Sequence, residues 1–403
     1  MGFVDPFTAV VICFCFLGVM LYKRVNIGIT LNIVALFLAL LSLNWQEIPT
    51  IIYETCVDLR TISVVFATFG IMLMSQLYKV TKVINDLSEG LSRIVSNSKL
   101  VVSILPAIIG LLPVAGGALM SAPLVEAETD RLGLKAEKKT YVNVWFRHTI
   151  FPIYPISQVL IFTAKLTELT VISIIIRQIP VVISMILAGY FIGLWKTNPT
   201  TEKKEIPKTT LGSELKRFII TFSPILATII AVVSFSIDVS IAAFIGVVVL
   251  LVIAKPSLAV FKKSFMNWAT YGITFAAYGA FLLRNIVEAT EISEVFSTFV
   301  ANGSLDNLLL LTIIPAVLAF FIGSPLGAVA ISFSILEGVL SFTPKSAALL
   351  YISSYLGYVV APTHLCLVLT ADYFKCSLDK LYKYLIPSLM FPFVTAILLY
   401  LLT

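Results

Sequence analysis

Two short stretches put glycine and small residues where a helix can start within apolar surroundings. One is PVAGGALMS at residues 113–121, with Gly116, Gly117, Ala118 and Ser121; the other is IGSPLGA at 322–328, with Ser324, Gly327 and Ala328. Glycine permits a tight turn and close backbone approach. A helix that begins just after such a turn, near Ala118 or near Ala328, points free N–H groups and its positive dipole end outward, an arrangement that holds an anion. A packing turn without ligand is the plainer alternative. A second kind of chemistry comes from proline. Pro152 and Pro155 in FPIYPIS (151–157) remove two amide donors and disfavour helix before each ring, and Pro362 in VAPTH (360–364) acts likewise. Freed carbonyls beside the hydroxyls of Ser157 and Thr363 suit a small cation, so Pro155, Ser157, Pro362 and Thr363 are candidates for a coupling-ion site. A purely structural kink is the other reading.

The chain has two histidines, and both fall in these proline-broken stretches. His364 follows Thr363 directly and is a candidate to bind an anion or take up a proton, its imidazole titrating near neutrality; a buried ring satisfied by a backbone carbonyl is the alternative. Arg147 and His148 precede Pro155 by seven or eight residues, about 10 to 12 Å of helix. That depth puts His148 toward the periphery and lets Arg147 snorkel to the interface, so both are secondary candidates. Arg177 is read as snorkelling too. Gln76 and Asn285 occupy matching positions late in their helices, as site-lining amides or interhelical hydrogen bonds. Glu126 and Glu337 are read as interfacial.

These residues sit in a chain of 403 that is 59% hydrophobic and 12% charged, well outside the range of soluble domains. The composition predicts an all-α integral membrane protein in contact with the lipid bilayer, placed in the plasma or inner membrane. No basic region with a cleavage site opens the chain, so the first apolar segment is expected to remain as a membrane helix. Cys13, Cys15, Cys56, Cys366 and Cys376 show no metal-ligand spacing and read as reduced packing residues. No metal site or cofactor is expected beyond Na+ or H+ as a coupling ion. An enzyme is disfavoured, with no nucleophile and base, phosphate loop or ligand cluster in view. The basic residues read as a topology signal, with no nucleic-acid partner.

Hydropathy predicts spans near 6–22, 26–44, 61–78, 140–164, 170–195, 218–236, 239–254, 264–284, 345–371 and 382–402. Residues 100–130 and 308–340 are apolar but broken mid-way, each arm about 20 Å as helix against a core of about 30 Å. They are read as re-entrant hairpins, giving about ten transmembrane helices plus two hairpins. Of the 28 Lys and Arg, only Arg60, Lys165, Arg284 and Lys345 then lie outside, and Arg147 and Arg177 within spans. The remainder are cytoplasmic, so both termini are extracytoplasmic, the first hairpin enters from the cytoplasm and the second from outside.

The halves also align. FATFG (66–70) matches FAAYG (275–279) and LPAII (105–109) matches IPAVL (314–318), both offset by 209; YPISQVLIFTA (154–164) matches APTHLCLVLTA (361–371) and Ile179-Pro180 matches Ile386-Pro387, both by 207. An odd number of spans per half makes the second an inverted copy. The expected organisation is therefore a first repeat over 1–200, a cytoplasmic linker over 201–217 and a second, inverted repeat over 218–403. Each repeat has three helices, a hairpin, a broken helix (140–164 or 345–371) and a closing helix.

This organisation resembles the ion-transporter superfamily of citrate, gluconate, divalent-anion/sodium and arsenite carriers. LPVAGGALMSAPLVEAE (112–128), NVWFRHTIFPIYPISQ (143–158) and APTHLCLVLTADYF (361–374) resemble its branch catalogued as domain of unknown function 401. The Ser-Asn-Thr signatures of the divalent-anion/sodium carriers are absent, so their dicarboxylate specificity and sodium coupling do not carry over. The resemblance implies a homodimeric secondary transporter for a small, carboxylate-type anion, coupled to sodium or protons by alternating access. A cation/proton antiporter of the same superfamily is the alternative, disfavoured because no Asp or Glu falls near the centre of a span.

Overall fold

The computed structural model describes residues 4–23, 25–95, 97–111, 118–197, 208–290 and 306–402. Among these there is no strand, and long apolar runs form helices because an unpaired backbone cannot be left in hydrocarbon. The first half runs α1 (Pro6–Tyr22), α2 (Ile27–Ser42), α3 (Ile48–Val57), α4 (Leu59–Val80), α5 (Val83–Ile94), α6 (Ser98–Gly110), α7 (Ala118–Arg131), α8 (Ala136–Thr149), α9 (Gln158–Leu166) and α10 (Val171–Gly189). The second runs α11 (Lys208–Val233), α12 (Val239–Ala254), α13 (Leu258–Phe265), α14 (Trp268–Ala289), α15 (Asn307–Ile322), α16 (Pro325–Leu336), α17 (Pro344–Val359), α18 (Leu365–Tyr373) and α19 (Leu378–Leu402). The chain is an all-helical, multi-pass membrane protein. Five helical stretches are long and apolar enough to cross a bilayer: Leu59–Val80, Ala136–Leu166, Val171–Leu194, Leu211–Val233 and Leu378–Leu402. Ile27–Ser42, Val239–Ala254, Asn307–Ile322 and Pro325–Leu336 are shorter apolar helices.

Small residues set the helix contacts. α2 packs on α14 so closely that a Cβ on Gly28 would lie 2.2 Å from the Gly272 carbonyl, and Asn32 donates across to the Phe275 carbonyl at 2.9 Å. α4 packs on α12, with a Cβ on Gly70 3.0 Å from that of Ala243. Close approach of this kind gives the dispersion contact that lipid cannot outcompete. Several further contacts come in matched sets: α3 on α14 and α13 on α4, α6 on α8 and α15 on α17, α9 on α16 and α18 on α7, α10 on α17 and α19 on α8. One buried core draws side chains from both halves.

α6 packs against α7 and α15 against α16, each a helical hairpin. The first turn, with Gly116 and Gly117, lies outside the described residues. In the second, Gly323 at φ +67° closes α15, its N–H bonding the Ala319 carbonyl at 2.9 Å, and Ser324 opens α16. The left-handed conformation there favours glycine.

Three short helices interrupt the expected loops. α3, α5 and α13, at 10, 12 and 8 residues, are too short to cross a bilayer, and α5 carries Asp86 early and Arg93 late, as its dipole favours. Within the expected linker 201–217, α11 begins at Lys208, and residues 201–207 lie outside the described residues.

Candidate functional site

Both broken helices fracture where proline predicts. α8 stops at Thr149, a single 3-10 turn covers Phe151–Ile153, and α9 resumes at Gln158; α17 stops at Val359 and α18 resumes at Leu365. The two fractures meet. The His148 and His364 rings stand edge to face with centroids 4.7 Å apart, and Tyr358 lies 4.1 Å from His364. Phe151 stacks on His148 from the other side at 5.9 Å. Cys366 completes the group: one ring nitrogen of each histidine and the Cys366 sulfur all lie within 4.8 Å of one another. His148, His364 and Cys366 are 3%, 1% and 5% exposed.

Each histidine turns Nδ1 to a nearby backbone carbonyl, His148 to Val144 within α8 at 2.6 Å and His364 across the fracture to Val359, the last residue of α17, at 3.2 Å. A carbonyl only accepts, so Nδ1 carries the proton and a neutral ring leaves the Nε2 lone pair for something else. The His364 Nε2 is buried and has no hydrogen-bond partner.

This contact revises the expected depth of His148, which lies beside His364 and not at the periphery. Arg147 is also buried, 2% exposed, and does not reach outward. The first hairpin packs on it closely enough that a Cβ on Gly110 would stand 2.5 Å from the Arg147 carbonyl.

The freed carbonyls, expected to be open for a cation, are partly occupied. Tyr355 donates to the His148 carbonyl at 2.8 Å, Tyr351 to that of Phe151 at 3.1 Å, and Tyr382 to that of Val360 at 2.9 Å. Pro155 and Ser157 are buried in the first fracture, Ser157 opening α9 without a side-chain cap. Pro362 and Thr363 are exposed, and Thr363 meets the second hairpin: a Cβ on Gly323 would lie 2.3 Å from its Oγ1.

At the hairpin turns, Ser121 donates to Asn143 Oδ1 at 2.7 Å, while Asn143 Nδ2 donates to the Ala118 carbonyl at 2.7 Å, tying the start of α7 to α8. Ser324 caps α16 by accepting from the Gly327 amide at 3.3 Å, so that N–H is already engaged. A Cβ on Gly327 would meet Ile27 at 3.4 Å, an ordinary contact, and Ala328 is buried. The tight glycine of this turn is Gly323, four residues earlier. Asn285 donates to Thr55 Oγ1 at 2.8 Å, an interhelical hydrogen bond, and Gln76 is buried in α4.

The sequence reading missed Tyr351, Tyr355 and Tyr358, though their i, i+4, i+7 spacing already put them on one helix face. It also passed over Asn143 and read Cys366 as a packing residue; His364 and Cys366 stand two apart in the chain, while His148, which shares their place, is 216 residues from His364.

The chain belongs to the family described as "Protein of unknown function (DUF401)", which it matches over residues 7–403. No curated protein matches it.

Proposed function

We propose that this member of the family is a secondary active transporter. It carries a small, carboxylate-type anion across the cell membrane by alternating access, coupled to sodium or protons, with about ten spans and two re-entrant hairpins in inverted repeats. The observation that carries the reading is the convergence of hairpins and fractures: Gly323 of the second hairpin abuts Thr363 of the second fracture, Gly110 of the first abuts Arg147, and the fractures touch through His148 and His364. Non-helical backbone at membrane depth is tolerated only in protein or beside a polar cavity, which is where transporters build binding sites.

Two observations support the inverted repeat. Exchanging the halves turns α2 on α14 into α12 on α4, and α9 on α16 into α18 on α7, and both members of each pair are present. The ion pairs Arg60–Glu168, Lys165–Asp238 and Arg284–Glu337 each join residues that loop charges place outside. Arg93–Glu214, Arg217–Asp86 and Lys139–Asp130 each join cytoplasmic ones. Burial of Arg147 beside the fracture supports an anionic cargo. Glu214 is the sole buried carboxylate among the described residues, and it pairs with Arg93, which leaves the antiporter reading without its usual acid. A homodimer with both termini extracytoplasmic completes the proposal.

The test is uptake into proteoliposomes against a panel of labelled small carboxylates, under an inward sodium or proton gradient, with Arg147→Gln alongside. Gradient-driven accumulation of at least one carboxylate, lost in Arg147→Gln, is expected. Exchange of a cation for protons with no carboxylate uptake would replace this reading by the antiporter.

A further inference from the structure

We propose that His148, His364 and Cys366 form a binding site for a thiophilic d10 cation of the Zn2+ type, bridging the two fractures. The binding does not depend on the transport reading. Imidazole nitrogen and thiolate sulfur are the donor set that zinc prefers, and three protein ligands with a fourth position open is the pattern of an exchangeable site. The hydrogen bonds on the far side of the rings are those such ligands need. Nδ1 of each histidine is held by a backbone carbonyl, which fixes the tautomer that presents Nε2 to a metal.

A second observation points to a ligand. The His364 Nε2 is an unpartnered polar atom on a residue 1% exposed, in a group whose other two donors lie within 4.8 Å. The Cys366 thiol faces both rings, yet its single weak S–H can serve only one acceptor at a time, whereas a metal ion held by the thiolate would engage both Nε2 lone pairs at once. Tetrahedral zinc needs donor separations of about 3.3 to 3.6 Å, from bond lengths of about 2.0 Å to nitrogen and 2.3 Å to sulfur. Closing from 4.8 Å asks for about 1 Å of movement, within the reach of side chains at the ends of broken helices. Pro362 and Thr363, next to His364, are exposed, so the second fracture reaches the molecular surface beside the site. On binding, the Cys366 thiol would give its proton to solvent and the ion would exchange three of its waters for one sulfur and two imidazole nitrogens; no redox step is involved.

Because the ligands come from α8 on one side and the second fracture with α18 on the other, the ion would staple the halves together at the point where the hairpins converge. The test uses purified full-length protein with Cys13, Cys15, Cys56 and Cys376 replaced by Ala, leaving Cys366 as the single thiol, and Co2+ as the probe. One Co2+ per chain with a thiolate-to-cobalt charge-transfer band, displaced by Zn2+ and absent in Cys366→Ser, is expected, with Co2+ affinity falling more than about 10-fold in His364→Gln. X-ray absorption of the unmodified chain loaded with Zn2+ gives a second measurement that needs no variant: a shell with one sulfur and two imidazoles is expected. Cobalt bound without the charge-transfer band, or a zinc shell of nitrogen and oxygen alone, overturns the site.

Discussion

Replacing Gly323 with Ala tests whether the second hairpin truly bears on the second fracture. Two costs arise at this residue. Its φ of +67° is a left-handed conformation, which costs a residue with a Cβ roughly 1 to 2 kcal/mol. The new methyl would also lie 2.3 Å from Thr363 Oγ1 and 3.1 Å from Thr363 Cβ, where ordinary contact begins at 3.4 Å. The shortfall of about 1.1 Å is an overpacking of the kind that costs about 1 to 3 kcal/mol, and the low end applies because Thr363 is exposed and can move. Gly323→Ala is therefore expected to destabilise by about 2 to 3 kcal/mol, the backbone cost plus the low end of the overpacking range. Thr363→Ala alone should change little. The double variant removes the Oγ1 overlap but keeps the backbone cost, so it should recover about 1 kcal/mol of the loss, a coupling well above the error of such cycles. Reversible denaturation in mixed micelles, followed by tryptophan fluorescence, measures all four corners. Additive effects, or a Gly323→Ala variant as stable as wild type, would show that the hairpin does not rest on Thr363 and would remove the contact on which the transport reading depends.

Gly357→Ala should destabilise by about 1 to 3 kcal/mol, because its Cβ would sit 2.2 Å from the Ala316 backbone carbonyl and α15 would have to part from α17; Gly212→Ala, on exposed α11 with nothing within 4 Å, should instead stabilise by about 0.5 to 1 kcal/mol in the same melts. Asn143→Ala should cost about 0.5 to 1.5 kcal/mol by removing the two hydrogen bonds that tie α7 to α8, Ser121 still donating to the Ala118 carbonyl at 3.0 Å, and should speed proteolysis near the start of α7; an unchanged melting curve would refute the tie. Burial alone would raise the Asp238 carboxyl, but hydrogen bonds from Ser240, Lys165 and Ser63 outweigh it and hold the group at about 2, below its ordinary 3.8. Its folded pKa being the lower, its contribution is complete above pH 3.8 and disappears as pH falls toward 2, so an acid titration of stability should be shallower over that window in Asp238→Asn.

How much of this was legible depends on whether the cause was local. The apolar run at 239–254 forms the helix α12, Val239–Ala254, and both fractures fall where Pro155 and Pro362 imply. These features follow from local hydropathy and from missing amides. α3, α5 and α13 were not legible because no long apolar run announces them. The tyrosine caps on the His148 and Phe151 carbonyls come from residues 200 or more positions away, a pairing that no window on the sequence contains.

The misplacement of His148 is the more instructive failure, because the rule was sound and its premise was not. Counting 1.5 Å per residue back from Pro155 assumes that the intervening backbone is helical. It is not: α8 ends at Thr149, and residues 150–157 pass through a 3-10 turn and extended backbone before α9 begins. His148 thus stands at the lip of the fracture, one residue from the end of its helix, and Arg147 stands with it. Pro152, read as removing a donor and disfavouring helix before its ring, also opens the 3-10 turn that spaces α8 from α9. With Pro155 it lengthens the fracture enough to bring residues 147 and 148 to the level of 364 and 366. A histidine pair, a thiol and a buried guanidinium therefore share one place in the fold although the sequence keeps them more than 200 residues apart. The chemistry of the site lies in how far a broken helix departs from a straight rod, and proline spacing is the part of that departure a sequence can report.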